Sequence, residues 1–236
     1  MAISKYLDDQ SIDIARGIVL GASHINKFGF TGADINGTCT VWDGNATTAI
    51  YPYPAAGVVQ IPANTTDDGE EVEIQGLDAN YNPLVVTVTI AGAASTETFS
   101  RIFRARMVST PNGANVVINQ GAALAATILA GNAQTLMAVY TVPAGKKGYL
   151  KKLHGSSDKS TGNPSVKYKL FVREFGKSVF NLKGQFGTAG GNQFDYDYPI
   201  PLEFDEKSDI RVDVVTNADT GVGAIFDLVL VDINAR

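Results

Sequence analysis

An all-β protein, built as two β-sandwich (jelly-roll-like) domains in tandem, is the fold class this sequence predicts, and three observations predict it. From 132 to 232, β-branched and apolar runs at 135–142, 149–153, 166–172, 200–204, 210–215 and 224–231 alternate with turn chemistry at 143–145, 158–164, 187–191, 205–208 and 217–223. That spacing belongs to sandwiches and barrels. Twenty-four glycines and nine prolines among 236 residues describe many turns and short strands rather than long helices. The 44% hydrophobic, 18% charged balance is that of a folded chain.

Taken in order, residues 4–14 are polar with apolar spots at Tyr6, Leu7, Ile12 and Ile14, which fits a short helix or a docking arm that orders on a partner. A strand starts at Ile18-Val19-Leu20 and ends near 28–30; others follow at 37–42 and 58–61. Val72 and Ile74 then alternate with polar neighbours, and 78–83 is a turn cluster leading to a partner strand at 84–90, so this stretch predicts a hairpin. A strand at 101–108 runs into Ser109-Thr110-Pro111-Asn112-Gly113, strong turn punctuation that places a domain boundary between residues 1–108 and 109–236. Charge divides there too: 1–107 carry six Lys or Arg against twelve Asp or Glu, and 108–236 carry thirteen against twelve. Residues 121–129 contain good helix formers. Asn119-Gln120 before them and Ala130-Gly131-Asn132 after them favour a strand leading into 134–142, with a helix as the alternative.

Chemistry finds little to hold on to. With two histidines, His24 and His154, and no Gly-x-Ser-x-Gly elbow, a triad has no evident nucleophile. Asp195 and Asp197 share one strand face, with Phe194, Tyr196 and Tyr198 on the other, which describes a half-exposed strand as well as it describes a carboxylate pair. The acidic run 67–71 lacks the ligand register of a calcium loop and reads as a solvated turn. Lys146, Lys147, Lys151 and Lys152 make a basic stretch, but the chain's net charge is −5 and no phosphate-binding glycine loop occurs, which argues against nucleic acid. Cys39 is alone and lies in an alternating segment, so a buried thiol is expected. Three glycosylation-type triplets at Asn36, Asn45 and Asn64 are expected by chance in so Thr- and Asn-rich a chain. No run approaches the length of a membrane span, and residues 1–9 lack the apolar region of a secretion signal, so a cytoplasmic fold is expected.

Three segments carry a resemblance. Glu71-Val72-Glu73-Ile74-Gln75-Gly76-Leu77-Asp78-Ala79-Asn80-Tyr81-Asn82, the stretch from Gln134 to Leu150 with Val142-Pro143-Ala144-Gly145-Lys146-Lys147-Gly148, and Glu206-Lys207-Ser208-Asp209-Ile210 resemble virion structural proteins of tailed bacteriophages, especially marine and cyanobacterial ones. The resemblance covers both halves and is one of strands and turns rather than of an active site. It implies a non-catalytic part with no cofactor and no metal, first of all a capsid decoration (cement) protein located in the virion and made in the host cytoplasm. Its partners would be the major capsid protein or other virion proteins and further copies of itself as a homo-oligomer, a trimer being favoured, without nucleic acid or membrane. Tyr6, Leu7, Ile12 and Ile14 are then the candidate docking arm. The alternatives are a carbohydrate-binding receptor module of a fibre or tail, with Tyr196, Tyr198 and Asn192 as sugar contacts, and a neck or tail connector.

Overall fold

The computed structural model describes residues 10–158 and 164–234, and within them the protein is β throughout apart from one short helix, α1 (Gln10–Ala15). Tyr6 and Leu7 lie outside the described residues. Nine strands form the larger body: β1 (Ala22–Phe30), β2 (Thr38–Thr40), β9 (Val139–Thr141), β10 (Lys146–Ser157), β11 (Ser165–Arg173), β12 (Asn181–Ala189), β13 (Gln193–Phe204), β14 (Asp209–Thr216) and β15 (Val222–Asp232). One sheet runs β1-β15-β10-β13 and the other β12-β11-β14-β2. The antiparallel pairs are nested like one long hairpin: β1 with β15, β2 with β14, β10 with β13, and β11 with β12. Nested pairing wrapped into two facing sheets is the jelly roll, a distinction the sequence pattern left open.

The prediction of two domains in tandem, divided at 108/109, is corrected by this pairing. β1 and β2 belong to the same sandwich as the last third of the chain, and the second domain is an insertion, residues 42–137, between the second and third strands of the jelly roll. The insertion holds β3 (Val59–Gln60), β4 (Glu71–Leu77), β5 (Pro83–Thr89), β6 (Arg101–Met107), β7 (Val116–Gln120) and β8 (Ala123–Ile128). They form two three-stranded sheets, β3-β7-β8 and β5-β4-β6, so it is a small sandwich and not a second jelly roll. Turn residues at 109–113 mimicked a boundary because they separate β6 from β7, which lie in different sheets of this insertion. The acidic charge belongs to the insertion as well, with three Lys or Arg against eight Asp or Glu, while the rest of the chain carries sixteen of each.

Local chemistry explains the elements. In β4, Val72 and Ile74 are fully buried while Glu73 points out and accepts two hydrogen bonds from the guanidinium of Arg106, its cross-strand partner, from Nε and Nη2, each at 2.9 Å. The β4–β5 turn closes because the Asp78 carboxylate accepts the backbone N–H groups of Asn80 and Asn82, both at 2.8 Å. Residues 123–128 are the strand β8, as their flanking turns suggested. The strand expected from Ile18 begins only at Ala22, because α1 ends in a Schellman turn: Gly17 adopts φ +72° and its N–H bonds to Ile14 O, while Ile18 N–H bonds to Asp13 O. β12 had no counterpart in the sequence reading, since Leu182, Gly184 and Gly187 break the β-branched pattern.

Two hydrophobic cores follow the two units. Tyr168, Leu170, Val212, Val214, Phe226 and Leu228 anchor the first; Ile74, Phe99, Ile102, Ile118 and Ile128 anchor the second, which Trp42 and Met137 close at the neck. Burying side chains of this size contributes about 1.5–3 kcal/mol each relative to exposure.

Candidate functional site

Four places gather functional side chains. The first is the neck where the insertion leaves and re-enters. β2 and β9 lie end to end along β14, so the insertion interrupts one strand position, and its two linkers bond to each other: Ala138 N–H to Val41 O at 2.9 Å, Asp43 N–H to Leu136 O at 3.0 Å, and Leu136 N–H to Asp43 Oδ2 at 2.7 Å. Gly29 in β1 presses against this ladder so closely that a Cβ there would stand 2.4 Å from Ala138 N and 2.5 Å from Val41 O. Lys27, also in β1, is buried with its ammonium donating to Phe103 O of the insertion. Burial, then the nearby Arg104, pulls its pKa down to about 7, against the pull of Asp43. Burial likewise pushes Asp43 up to about 8, despite backbone hydrogen bonds and Lys27.

The second is the junction between the units. Asp209 of β14 accepts hydrogen bonds from Arg101 of the insertion at 2.7 and 3.0 Å, from Arg173 at 2.5 and 3.1 Å, and from the Thr141 hydroxyl at 2.7 Å. Beside it Arg211 pairs with Asp213 at 3.0 Å. The guanidinium groups lie over aromatic rings from both units: Arg101 over Tyr53, Arg173 over Tyr53 and Phe180, and Arg211 over Phe180 at 4.2 Å. Tyr53 also donates its hydroxyl across the junction to Ile210 O at 2.8 Å. A network this dense locks the insertion on the jelly roll. The sequence reading missed it because its partners lie up to 157 positions apart, although Arg101 beside Ile102 and Phe103 was a signal of buried pairing.

The third is the outer face of the β1-β15-β10-β13 sheet, which collects both histidines. His154 stands directly opposite Asp195 and binds it through Nδ1 at 3.1 Å, with Lys152 on the same carboxylate at 3.0 Å. His24 reaches Asp227 at 3.3 Å, and Asn26 donates to the same oxygen at 2.6 Å. Register explains these pairs, and Lys152 and His154 hold the Asp195 carboxyl below its ordinary value, so it is ionised and unsuited to donate a proton. The basic stretch is likewise engaged, with Lys146 on Asp232 and Lys147 on Glu203. Beside α1, Ser11, Ile14, His24, Lys151, Asp227 and Tyr198 line a cleft of about 410 Å³. Of the predicted docking arm, Ile14 lines that cleft and Ile12 is 46% exposed; Ile18, Leu20 and Ile233 extend the exposed apolar side chains, Leu20 reaching 90%.

The fourth is the open side of the jelly roll, where β12 and β13 face each other as edge strands of opposite sheets. Phe186 stacks on Phe194 at 4.8 Å, Tyr196 touches Phe186 at 5.0 Å and Tyr198 at 4.8 Å, and Phe194 meets the buried Tyr168 at 5.0 Å. These rings therefore close a seam. Tyr196 and Tyr198 are brought together as the sequence suggested, but the Tyr198 hydroxyl is enclosed and Tyr196 alone of the two is exposed. Asn192 lies beyond Phe194 in the β12–β13 turn, exposed, with its carbonyl taken by Ser157 N–H at 3.1 Å.

The acidic run is a turn with Asp68, Gly69 and Glu71 exposed, as expected, but Asp67 is buried in it as a staple: it accepts the N–H groups of Gly113 at 2.7 Å and Ala114 at 3.0 Å, and the Gly113 bond is the main cause that holds its carboxyl low. Among the described residues no three His, Cys, Asp or Glu side chains converge as a metal site, and no helix is long and apolar enough to cross a membrane.

Fold and sites define the class: an all-β jelly-roll protein with a clamped sandwich insertion. No known protein family and no curated protein matches the chain. Among solved structures, that of the infectious bursal disease virus VP2 subviral particle is similar at 9% identity over 92% of this chain and 77% of that one, with a TM-score of 0.19, too low to establish a shared fold.

Proposed function

We propose that this chain is a non-catalytic structural protein of a tailed-bacteriophage virion, a decoration (cement) protein that binds the mature shell and bridges neighbouring capsomers. The observation that carries the reading is the use made of the polar groups. Arg101, Arg173 and Asp209 are spent on locking two sandwiches together, while apolar side chains that no core uses, Ile12, Ile18 and Leu20, stand exposed where the N-terminal segment meets the body. Such a molecule is a stiff spacer with a sticky foot, which is what attachment to a preformed lattice requires. The major capsid protein is the partner in this reading, and the foot is its contact.

Cosedimentation of the purified protein with shells that lack it tests the reading. Binding that is lost in Leu20→Asp with Ile18→Asp, at an unchanged melting midpoint, supports it; absence of binding by the parent protein, or full binding by the variant, overturns it. A receptor-binding module for carbohydrate is the second reading, favoured by the exposed ring of Tyr196, and glycan binding abolished by Tyr196→Ala would select it.

A further inference from the structure

Sheet edges are templates for pairing with another chain, and folded proteins guard them with short strands, bulges, prolines or covering segments. Three of the four edge positions of this jelly roll are guarded. β2 and β9, end to end at one edge, are three residues each. β13 carries Pro199 and Pro201 within an irregular stretch, where its pairing with β10 jumps from Asp197 to Leu202. β1 lies along the insertion, to which Lys27 is bonded. β12 is protected only near its start, by one bulge at Lys183. It is nine residues long, contains no proline, and pairs only with β11 among the described residues. Its outward side is exposed at Lys183, Gln185, Gly187 and Ala189. A bulge sets Lys183 outside the regular ladder, between Leu182 opposite Phe171 and Gly184 opposite Leu170. What remains, residues 184–189, is a straight run without a charged side chain.

We infer that this run is a contact between two copies of the chain, paired antiparallel about a two-fold axis so that their β12-β11-β14-β2 sheets become one continuous sheet. Directly opposed residues in a sheet point to the same face, so inner-facing Gly184, Phe186 and Thr188 must oppose inner-facing residues of the second copy. That condition leaves registers centred on Gln185, Phe186 or Gly187. None of the three opposes Lys183 to itself, so the strand is self-compatible in charge as well as in shape. The contact also extends the seam: a second Phe186 arrives beside the existing stack of Phe186 on Phe194. A six-residue strand pair buries less than the ~1,200–2,000 Å² of a stable interface, so the pairing is concentration-dependent. It is independent of the virion role proposed above, since it follows from the edge alone.

Light scattering coupled to size exclusion, run from micromolar to submillimolar protein, is the test. The mass of the parent species is expected to double with concentration, whatever its value at low concentration. The variant Gln185→Lys with Gly187→Lys places like charges opposite each other in all three registers, and it fits the fold, because a Cβ at Gly187 meets only Val166 O, at 3.9 Å. At least a tenfold weaker association is expected. Doubling that persists in the variant, or parent protein that never doubles, overturns the inference. Should the variant melt early, hydrogen exchange of the parent decides: amides of 184–189 gain protection with concentration if the strands pair, and exchange independently of concentration if they do not.

Discussion

Arg101 and Asp209 meet across the junction in a two-point ion pair, Nε to Oδ1 at 2.7 Å and Nη2 to Oδ2 at 3.0 Å, with the carboxylate side chain only 3% exposed. Because Arg173 and Thr141 use the same carboxylate, removing its charge strands two guanidinium groups in a desolvated place. Asp209→Asn is therefore expected to cost about 3–5 kcal/mol in urea unfolding. Trp42, the single tryptophan, is fully buried at the neck, so its fluorescence reports the junction directly. In the parent protein it should change together with the far-ultraviolet circular dichroism; in Asp209→Asn the two transitions should separate. A loss under about 1 kcal/mol would mean that the pair behaves as a surface salt bridge.

Stability should pass through a minimum in the contribution of Lys27 and Asp43 near neutral pH. Asp43 sits at about 8 in the folded protein against 3.8 in a free chain, so between those values the folded state holds the extra proton and stability falls as pH rises. Lys27 sits at about 7 against 10.5, so between those values the unfolded chain holds the extra proton and stability rises with pH. Relative to the parent, Asp43→Asn should flatten the melting-midpoint profile from about pH 4 to 8, and Lys27→Met should flatten it from about pH 7 to 10. Parallel profiles for parent and variants would refute the assignment.

Gly29→Ala tests the neck. Its new methyl group would meet backbone on two sides, at Ala138 N and Val41 O, and backbone cannot swing aside as a side chain can. The expected loss is about 3 kcal/mol, at the upper end for overpacking. Gly187→Ala, with open space around it, should leave the midpoint unchanged or slightly raised. Equal effects at the two glycines would show that the close approach is not a constraint.

Cys39 should be silent in the native protein. It is 2% exposed, and burial, then nearby Asp213, pushes its thiol up to about 12. A thiol reagent at pH 8 is expected to label one site per chain only after unfolding. Rapid native labelling would place that strand at the surface.

Strands were legible wherever β-branched residues alternate, as in Val72 and Ile74 or along 166–172, because burial of one face writes a period of two into the sequence. Their partners were not legible. Nothing local in Ala22–Phe30 announces that it pairs with residues 223–231, so a chain whose ends meet was read as two consecutive halves. β12 escaped for a different reason: an edge strand buries little, and Gly184 and Gly187 are tolerated there precisely where a central strand would have branched residues. The aromatic alternation at 194–198 was visible, but that its rings fold inward against Phe186 depended on a strand not yet recognised. The Asp209 cluster likewise combines residues from four strands and could not be assembled from spacing.

Nested pairing also dictates an order of events as the chain leaves the ribosome. The first strand of the jelly roll waits for its neighbour until residues 223–231 have been made, nearly two hundred positions later. The small sandwich between residues 42 and 137 has all its strands long before that, and its contacts are far more local. Synthesis thus delivers a finished inner unit first, held out on an unpaired β1 and β2, and the outer wrap closes around its base only at the end.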